Sequence, residues 1–486
     1  MDKGGPGVSG LLRRWAAAAP GRTAVVDGAT RLSWRELDAG ATRAAAALRG
    51  HGARPGDRIA LQLPTGVEFV LLYVGALRAG LVVVPVNPAY QPAEVEHIRA
   101  DSGATVFLDR EAAAALLAAA PEQAPDPRAE RGGEDISVLL YTSGTSGRPK
   151  GAMLSARALL ANLDQLAGVR PPLLGAEDVL FLPLPLSHVF GLNAGLGMAL
   201  RVGATVVLSD RFDAGATLAA MAAEQATAVL GVPGQYAQWL RHPDVGRGFA
   251  SVRFAMSGSA TLGRAVLDGF AGLGVALHDG YGLTEAAPVV AITALADREH
   301  PRPGSVGLPL PGVEVQLRDP EGEPIDAEED DPGRLFVRGP NLFSGYWPDG
   351  ADGPDADGWF GTGDIAIFDA ERQLHLVGRS AELVIVNGFN VYPAEVEAVL
   401  AAQPGVAEVA VVGVPDESSG EAVLAYVVPA AGARLDPDEL IAAAGLRLAR
   451  FKLPRSVEVV PALPHTVTGK IMKWQLHTEE ASHGGG

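Results

Sequence analysis

The sequence predicts an α/β protein: a large N-terminal domain of mixed and parallel sheets with flanking helices and a barrel-like subdomain, then a small mobile α+β C-terminal domain. Three observations lead to this prediction. Short apolar runs alternate with helical patterns through most of the first 300 residues, which is typical of a doubly wound sheet. Residues 303–378 are rich in turns, and past Arg379 the chain has the pattern of a compact α+β unit.

The N-terminal part contains apolar runs with the length and composition of buried strands. They are RIALQLP, LVVVPVN, ATVFLD, ISVLLYTS, DVLFLPLP, ATVVLSD, TAVLGVP and VRFAMSGS. The segments between them, such as EFVLLYVGALRAG and FDAGATLAAMAAEQ, are amphipathic at helical spacing. Because parallel strands need such crossover connections, the alternation favours a largely parallel sheet. The Ala- and Pro-rich stretch 111–132 predicts a surface loop.

The later elements follow different patterns. VEVQLRD, GRLFVRG, DIAIFD and LHLVG alternate in polarity, which predicts an antiparallel or barrel-like arrangement. Pro393 begins a helix whose apolar face carries Val396, Val399 and Leu400. Asp436 is the predicted N-cap of a further helix.

Composition excludes several classes of function. Of 486 residues, 48% are hydrophobic and 20% are charged, which is a globular composition. Lys and Arg number 39 against 57 Asp and Glu, a formal net charge of −18. Binding to nucleic acid is therefore not expected, because phosphate contacts need clustered cations. Any polyanionic ligand must be held locally, by loop amides, a metal ion and a few placed cations.

The absence of cysteine excludes disulfides and thiolate metal sites. The first residues, MDKGGPGVSGLLRRW, lack the apolar core of a signal peptide. Apolar stretches such as 189–208 are interrupted by polar residues and glycines, so no membrane span is expected. These features predict a cytoplasmic protein.

Residues 141–155, YTSGTSGRPKGAMLS, combine glycines and hydroxyls between a strand-like run, ISVLL, and a helix-like run, ARALLANLDQLAG. Glycine-rich loops in this setting cradle phosphates, since their amides can converge on one anion. The spacing is not that of a Walker A loop, because Pro149 stands where the second glycine would fall. A generic P-loop kinase is thereby excluded.

The segment YTSGTSGRPKG resembles the phosphate loop of the adenylate-forming superfamily, which includes acyl-CoA synthetases, adenylation domains of peptide synthetases and luciferases. Four further segments match that superfamily's motifs in order: GYGLTE (280–285), GWFGTGD (358–364), GRSAELVIVNGFNVYPAEVE (378–397) and PHTVTGKIMK (464–473). The resemblance implies ATP-dependent activation of a carboxylic acid, release of pyrophosphate and transfer of the acyl group to a thiol. It also implies an AMP- and acyl-binding domain, a hinge and a mobile domain, at 1–378, 379–382 and 383–486.

The resemblance assigns roles in the nucleotide site. Lys150 would act as a point charge on the β- and γ-phosphates, and Glu285 would be the carboxylate ligand of Mg²⁺, with Thr284 contacting phosphate. Lys470 would bridge the substrate carboxylate and the α-phosphate, stabilising charge in the transition state. The nucleotide-binding set it implies is Thr142, Ser143, Gly144, Thr145, Ser146, Gly147, Lys150, Gly258, Ser259, Ala260, His278, Asp279, Gly280, Tyr281, Gly282, Asp364 and Arg379. In that set, Tyr281 would stack on adenine, and Asp364 and Arg379 would contact the ribose.

The resemblance also implies an acyl pocket, with His188 counted among the catalytic residues at its carboxylate end. The implied lining residues are His188, Phe190, Gly191, Val232, Gly282 and Leu283. Relatives that activate amino acids, acetate or malonate carry an Asp, Trp or Arg where this chain has Val189, Gly282 and Gly280. The roomy apolar pocket that remains suits a medium, long or bulky hydrophobic acid.

The resemblance further implies how the thiol reacts. Gly388, followed by Phe389, would let the pantetheine of CoA pass close to the backbone, and Ala381 falls at the hinge, where Asp or Lys is usual. Because no carrier domain follows the last motif, CoA is the favoured acceptor; the alternative is an enzyme that loads a separate carrier protein. A non-catalytic binding protein would be expected to have lost Lys470 or Glu285.

The predicted small molecules are the acid, ATP, Mg²⁺ and CoA, and a homodimer is allowed. Three cations are candidates for the CoA phosphates: Lys452, Arg455 and Lys473.

Overall fold

The computed structural model describes residues 7–122, 129–142, 149–260, 262–297, 299, 301–325, 331–379, 382–386, 389–416, 420–465, 471–473 and 475–476. The chain divides into two compact units. Unit 1 comprises residues 1–315 and 337–360, and unit 2 comprises residues 316–336 and 361–486. The predicted α/β class is confirmed. The predicted hinge at 379–382 and the domain bounds around it stay predictions.

The helices, in chain order, are α1 Val8–Ala18, α2 Trp34–Gly50, α3 Val67–Arg78, α4 Pro92–Ser102, α5 Arg110–Ala118, α6 Ala156–Gly168, α7 Met198–Val202, α8 Ala214–Ala223, α9 Pro233–Leu240, α10 Val245–Gly248, α11 Arg264–Gly272, α12 Pro393–Ala401 and α13 Pro437–Ala444. A π-helix, Phe190–Gly197, precedes α7. Among the described residues, no helix is long and apolar enough to cross a membrane.

The strands are β1 Thr23–Asp27, β2 Thr30–Ser33, β3 Arg58–Leu61, β4 Val82–Pro85, β5 Val106–Leu108, β6 Ile136–Thr142, β7 Lys150–Ser155, β8 Val179–Leu182, β9 Thr205–Leu208, β10 Ala228–Gly231, β11 Phe254–Ser257, β12 Leu277–Gly282, β13 Val289–Ile292, β14 Ser305–Pro309, β15 Glu314–Arg318, β16 Gly333–Arg338, β17 Trp359–Phe368, β18 Leu374–Arg379, β19 Val384–Val386, β20 Phe389–Val391, β21 Val406–Asp416, β22 Gly420–Pro429 and β23 Ser456–Val459.

Unit 1 contains two sheets. The smaller runs β5-β3-β4-β6-β7, parallel except where β7 pairs antiparallel with β6. In the larger, β12, β11, β10, β8, β9 and β1 are consecutive parallel neighbours. Strands such as β10 are buried throughout, which explains their unbroken apolar sequences. The eight predicted N-terminal runs all contain strands.

The core against the larger sheet is aromatic. Tyr236 and Trp239 of α9 are fully buried. Tyr236 meets Phe270 edge-on with ring centroids 5.4 Å apart, and Trp239 meets Phe249 edge-on at 5.6 Å. Such edge-to-face pairs stabilise by about 0.5–1.5 kcal/mol each beyond the area they bury. This core supports the strand ends that carry the predicted site.

Unit 2 has its own core. The sheet β20-β19-β22-β21, with β23 parallel to β22, packs against α12 and α13. Pro393 occupies the first turn of α12, and Val396 and Leu400 are buried, as predicted. The Asp436 side chain accepts the backbone N–H groups of Asp438 and Glu439, so the predicted N-cap is confirmed.

Two local predictions were wrong. Residues 110–118 form α5 rather than a loop, because Asp109 caps the helix and Ala113 and Leu116 are buried within unit 1. The helix-like run after residue 155 forms α6, as predicted. Within the stretch 141–155, however, residues 150–155 form strand β7 rather than a loop, and β7 pairs with β6 as far as Thr142 and Lys150.

Candidate active site

The hairpin of β6 and β7 presents the two described ends of the phosphate loop opposite each other, at Thr142 and Lys150. The predicted loop residues Ser143, Gly144, Thr145, Ser146 and Gly147 lie outside the described residues. The Lys150 ammonium is 2.9 Å from Asp352 and 5.3 Å from the ring centroid of Tyr346, and its side chain is 44% exposed. A half-exposed cation at a loop mouth is available to an incoming phosphate.

Helix α4 holds both ends of this loop. The Nε2 atom of His97 lies 3.0 Å from the carbonyl oxygen of Pro149, just after the loop. One turn further along, the Asp101 carboxylate accepts the hydroxyl of Tyr141 at 2.5 Å, just before the loop. Burial, followed by the Asp101 carboxylate, raises the pKa of Tyr141 far above its usual range, so the phenol keeps its proton and donates it.

The predicted adenine segments lie side by side. Gly258, Ser259 and Ala260 follow β11, and the run from His278 to Gly282 forms most of β12, with Ser257 paired to Asp279 in the parallel register. Carboxyl ends of adjacent parallel strands are where open α/β sheets bind ligands. The structure therefore brings together two segments that are separated in the sequence.

Asp279 is the buried acid of this region. Its carboxylate accepts the backbone N–H of Leu262 at 3.2 Å and of Gly280 at 3.0 Å, which ties the loop after β11 to β12. Burial raises the pKa of Asp279 to about 7, against the opposing effect of those two N–H groups. His278 is also buried, with its Nδ1 atom 3.3 Å from the Thr293 hydroxyl.

Thr284 and Glu285 sit on a short 3₁₀ turn after β12, and both are buried. The Glu285 carboxylate accepts the hydroxyl of Tyr346 at 2.5 Å, and its backbone carbonyl accepts the N–H of Phe343 at 2.8 Å. A buried carboxylate with an oxygen to spare suits Mg²⁺, which takes one or two carboxylates and completes its shell with phosphate and water. Within the described part of the chain, no cluster of three or more His, Asp or Glu could hold a metal unaided.

Three buried asparagines fix the backbone beyond Glu285. The amide of Asn341 donates to the carbonyl of Ala286 at 2.8 Å, and that of Asn193 donates to Ala287 at 2.7 Å. Asn162 both donates to the Val289 carbonyl and accepts the Val289 N–H, at 2.8 and 3.2 Å. The residues Asn162, Asn193 and Asn341 are all at most 1% exposed. Sequence reasoning missed this cluster, because single asparagines in an apolar helix, as at Asn162 and Asn193, or in a turn, as at Asn341, carry no motif.

His188 and Phe190 follow β8 in the chain. The Nδ1 atom of His188 accepts the backbone N–H of Phe190 at 3.3 Å, so in the neutral ring the proton is on Nε2. Burial lowers the pKa of His188 to about 4, which keeps the ring neutral at pH 7. The Phe190 ring packs on Gly258, where a Cβ would lie 3.1 Å from it.

The other predicted acyl residues occupy neighbouring strand ends. Val232 follows β10, and its N–H donates to Gln235, whose amide donates to the Pro183 carbonyl beyond β8. Gly191 is in the π-helix, and Leu283 follows β12. Gly282 differs from the expectation that its missing side chain leaves room in the acyl pocket. A Cβ there would lie 2.2 Å from the Pro288 carbonyl oxygen, so the missing side chain points at backbone.

In unit 2, the predicted ribose contacts are neighbours. Asp364 and Arg379 pair across β17 and β18, and their side chains form an ion pair at 2.8 Å, with the Asp364 carboxylate buried. Phe389 begins β20. The predicted Ala381, Gly388 and Lys470 lie outside the described residues.

The three cations considered for the CoA phosphates are all ion-paired within unit 2. Lys452 pairs with Glu395 and Arg455 with Asp416. Lys473 lies 2.9 Å from Glu382 and 2.8 Å from Glu397, and its side chain is 18% exposed. Burial lowers the pKa of Lys473, but the two carboxylates outweigh it and the pKa is raised.

Comparison with known proteins gives consistent matches. The AMP-binding enzyme family matches residues 12–347, and the AMP-binding enzyme C-terminal domain matches residues 395–470. A feruloyl-CoA synthase from Amycolatopsis sp is 39% identical over 484 residues, covering 95% of this chain and 97% of that protein. A long-chain-fatty-acid–CoA ligase from Yersinia pestis is 33% identical, covering 93% and 91%. Among solved structures, ATP-bound MatB from Rhodopseudomonas palustris matches with a TM-score of 0.87 at 33% identity, covering 98% and 99%.

Proposed function

Since the chain belongs to the AMP-binding enzyme family and is an acyl-CoA synthetase, we propose that it activates a bulky hydrophobic acid bearing an aromatic ring. One observation carries the site assignment. The predicted adenine and acyl residues of unit 1 lie at or just beyond the carboxyl ends of four adjacent parallel strands, β8, β10, β11 and β12, whereas Thr142 and Lys150 belong to the smaller sheet. That edge of an open sheet is where ligands of such folds bind.

The first half-reaction forms an acyl-adenylate. A carboxylate oxygen of the acid bonds to the α-phosphorus of ATP, the bond from that phosphorus to the bridging oxygen breaks, and pyrophosphate leaves with its electron pair. The reactants repel because both are anions, so the chain must neutralise and align them. Lys150 supplies a cation at the phosphate loop, and Glu285 would hold Mg²⁺. When bound, Mg²⁺ neutralises phosphate charge and orients the triphosphate.

His188 is suited to orienting the acid. The ring is neutral and its Nε2 carries the proton, so it can donate one hydrogen bond to the substrate carboxylate. A neutral donor fixes the carboxylate without removing the charge that makes it a nucleophile. Phe190 comes from the same segment, and its buried ring, packed on Gly258, is assigned to the wall of the acyl pocket.

Sequence identity to relatives of known name favours an aromatic acid over a simple fatty acid. The feruloyl-CoA synthase is 39% identical to the chain, whereas the long-chain-fatty-acid–CoA ligase is 33% identical. An aromatic ring is rigid and loses little freedom when it is buried in a pocket.

In the second half-reaction, the thiol of CoA releases its proton to solvent and its sulfur bonds to the acyl carbon. The bond from that carbon to the phosphate oxygen breaks, and AMP leaves with the electron pair. We assign Lys470 to adenylation only, and Gly388 to the passage of the thiol. The ion pair of Asp364 and Arg379 in unit 2 supports a ribose-binding role, because it sets a carboxylate acceptor beside guanidinium donors. A cytoplasmic location and a homodimer stay predictions.

A panel of acids tests the substrate class. Ferulate, benzoate, palmitate, acetate and malonate are each incubated with ATP, Mg²⁺ and enzyme, with and without CoA. We expect the highest kcat/KM for pyrophosphate release with an aromatic acid, and a CoA ester only when CoA is present. Higher kcat/KM with palmitate or acetate than with both aromatic acids contradicts the substrate class.

Two variants test the division between the half-reactions. Lys470→Ala should slow acyl-adenylate formation about a hundredfold or more, while thioester formation from supplied acyl-adenylate survives. Gly388→Leu should do the reverse, leaving one turnover of pyrophosphate release. Single-turnover assays measure each step, and equal loss of both steps in both variants refutes the division.

A further inference from the structure

Tyr346 connects two charged residues of the candidate site. Its hydroxyl donates to Glu285 at 2.5 Å, and its ring centroid lies 5.3 Å from the Lys150 ammonium. We infer that Tyr346 is a positioning residue, which holds the Mg²⁺ ligand and the phosphate-loop cation in one arrangement before ATP binds. This inference rests on the proposed role of Glu285.

The backbone around Tyr346 is held against the edge of β7. The N–H of Trp347 donates to the Gly151 carbonyl at 2.8 Å, and Ser344 and Gly345 exchange bonds with Met153 at 2.9 and 3.1 Å. The same strand begins with Lys150. The strand that carries the cation therefore also positions the tyrosine.

A tight turn fixes the segment from its other side. The N–H of Tyr346 donates to the Ala351 carbonyl at 2.9 Å, and its carbonyl accepts from Gly350 at 2.8 Å. Gly345 has a φ of +86°, and a Cβ there would lie 2.1 Å from the Gly350 oxygen. Only glycine fits this position. Phe343 packs edge-on against the Tyr346 ring, with centroids 5.0 Å apart.

The chemistry of the phenol suits both neighbours. The hydroxyl donates to one oxygen of Glu285, which orients the carboxylate and leaves its second oxygen for a cation. The face of the ring carries negative charge density and attracts the Lys150 ammonium. Asp352, 2.9 Å from the same ammonium, gives Lys150 a second partner at the loop mouth.

Equilibrium binding of ATP, without acid, tests the inference apart from catalysis. Titration calorimetry gives the dissociation constant of ATP in EDTA and in Mg²⁺. The EDTA value divided by the Mg²⁺ value measures the contribution of the metal. Outer-shell partners of metal ligands typically change metal affinity by about 10–100-fold when they are mutated. Tyr346→Phe removes only the hydroxyl, and we expect the ratio to fall about tenfold with the EDTA value unchanged.

Further variants separate the outcomes. Tyr346→Leu also removes the ring, so ATP should bind more weakly in EDTA as well. Tyr90→Phe, which removes a hydroxyl elsewhere in unit 1, should behave as wild type. If Tyr346→Phe keeps the wild-type ratio while Glu285→Gln loses it, the inference is wrong and the metal assignment stands. If Glu285→Gln also keeps the ratio, the metal assignment fails and this inference fails with it.

Discussion

Asp279 makes a sharp prediction about stability and pH. It is 6% exposed, and burial raises its pKa from the ordinary 3.8 to about 7. In the unfolded chain the same carboxyl ionises near 3.8, so between pH 4 and 7 the folded protein binds a proton that the unfolded chain does not. The stabilisation from Asp279 is thus fully present below about pH 4 and is lost as the pH rises through about 7.

The magnitude follows from these two values. At about 1.36 kcal/mol per pKa unit, the full difference corresponds to about 4 kcal/mol. From pH 6 to pH 8 the carboxyl passes through its folded pKa, and the free energy of unfolding should fall by about 1.4 kcal/mol on its account. Asp279→Asn removes this titration. The variant also loses one acceptor for the Leu262 or Gly280 N–H, a cost that does not depend on pH.

Urea unfolding at pH 6, 7 and 8 gives the free energy of unfolding of wild type and of Asp279→Asn, and the difference between these two free energies measures the effect. We expect that difference to change by about 1.4 kcal/mol across the range. Asp268→Asn, at a side chain that is 63% exposed, is the control, and its free energy of unfolding should change with pH as that of wild type does. If the free energy of unfolding of Asp279→Asn also changes with pH as that of wild type does, the argument from burial is refuted.

The remaining predictions concern the site and its supports. Gly282→Ala should lower pyrophosphate release with short and bulky acids alike, because its Cβ would lie 2.2 Å from a backbone oxygen. Loss of activity with bulky acids alone would show instead that Gly282 lines the acyl pocket. Gly280→Ala, where the Cβ would meet the flexible Met256 sulfur at 3.3 Å, should retain activity with short acids. Asn193→Leu should lower the free energy of unfolding in urea by about 2–4 kcal/mol, since it leaves buried carbonyls without a donor; a change below about 0.5 kcal/mol contradicts this. His97→Ala should raise the KM for ATP about fivefold, the worth of one hydrogen bond, and an unchanged KM would show that the loop holds its shape alone.

Local patterns predicted the strands of unit 1. They also placed the candidate adenine and acyl segments after buried strands, and parallel strands collect such ends at one edge of the sheet. The supports could not be predicted in this way. Asn193 contacts the turn after Glu285 across 94 residues of sequence, and Tyr346 reaches Glu285 across 61. A turn tyrosine and an asparagine in an apolar helix look ordinary until the fold brings their partners together. The position that a side chain at Gly282 would occupy likewise depends on the strand that pairs with it.

Helix α4 offers a way to change nucleotide affinity without changing any motif residue. His97 and Asp101 are one helical turn apart, a rise of about 6 Å, and they hold the two ends of the phosphate loop through Pro149 and Tyr141. None of the recognised motifs includes α4. Substitutions on this one helical face could therefore widen or narrow the loop's opening while every motif residue stays the same. For a designer of variant enzymes, α4 is a place to adjust nucleotide affinity separately from the choice of acid.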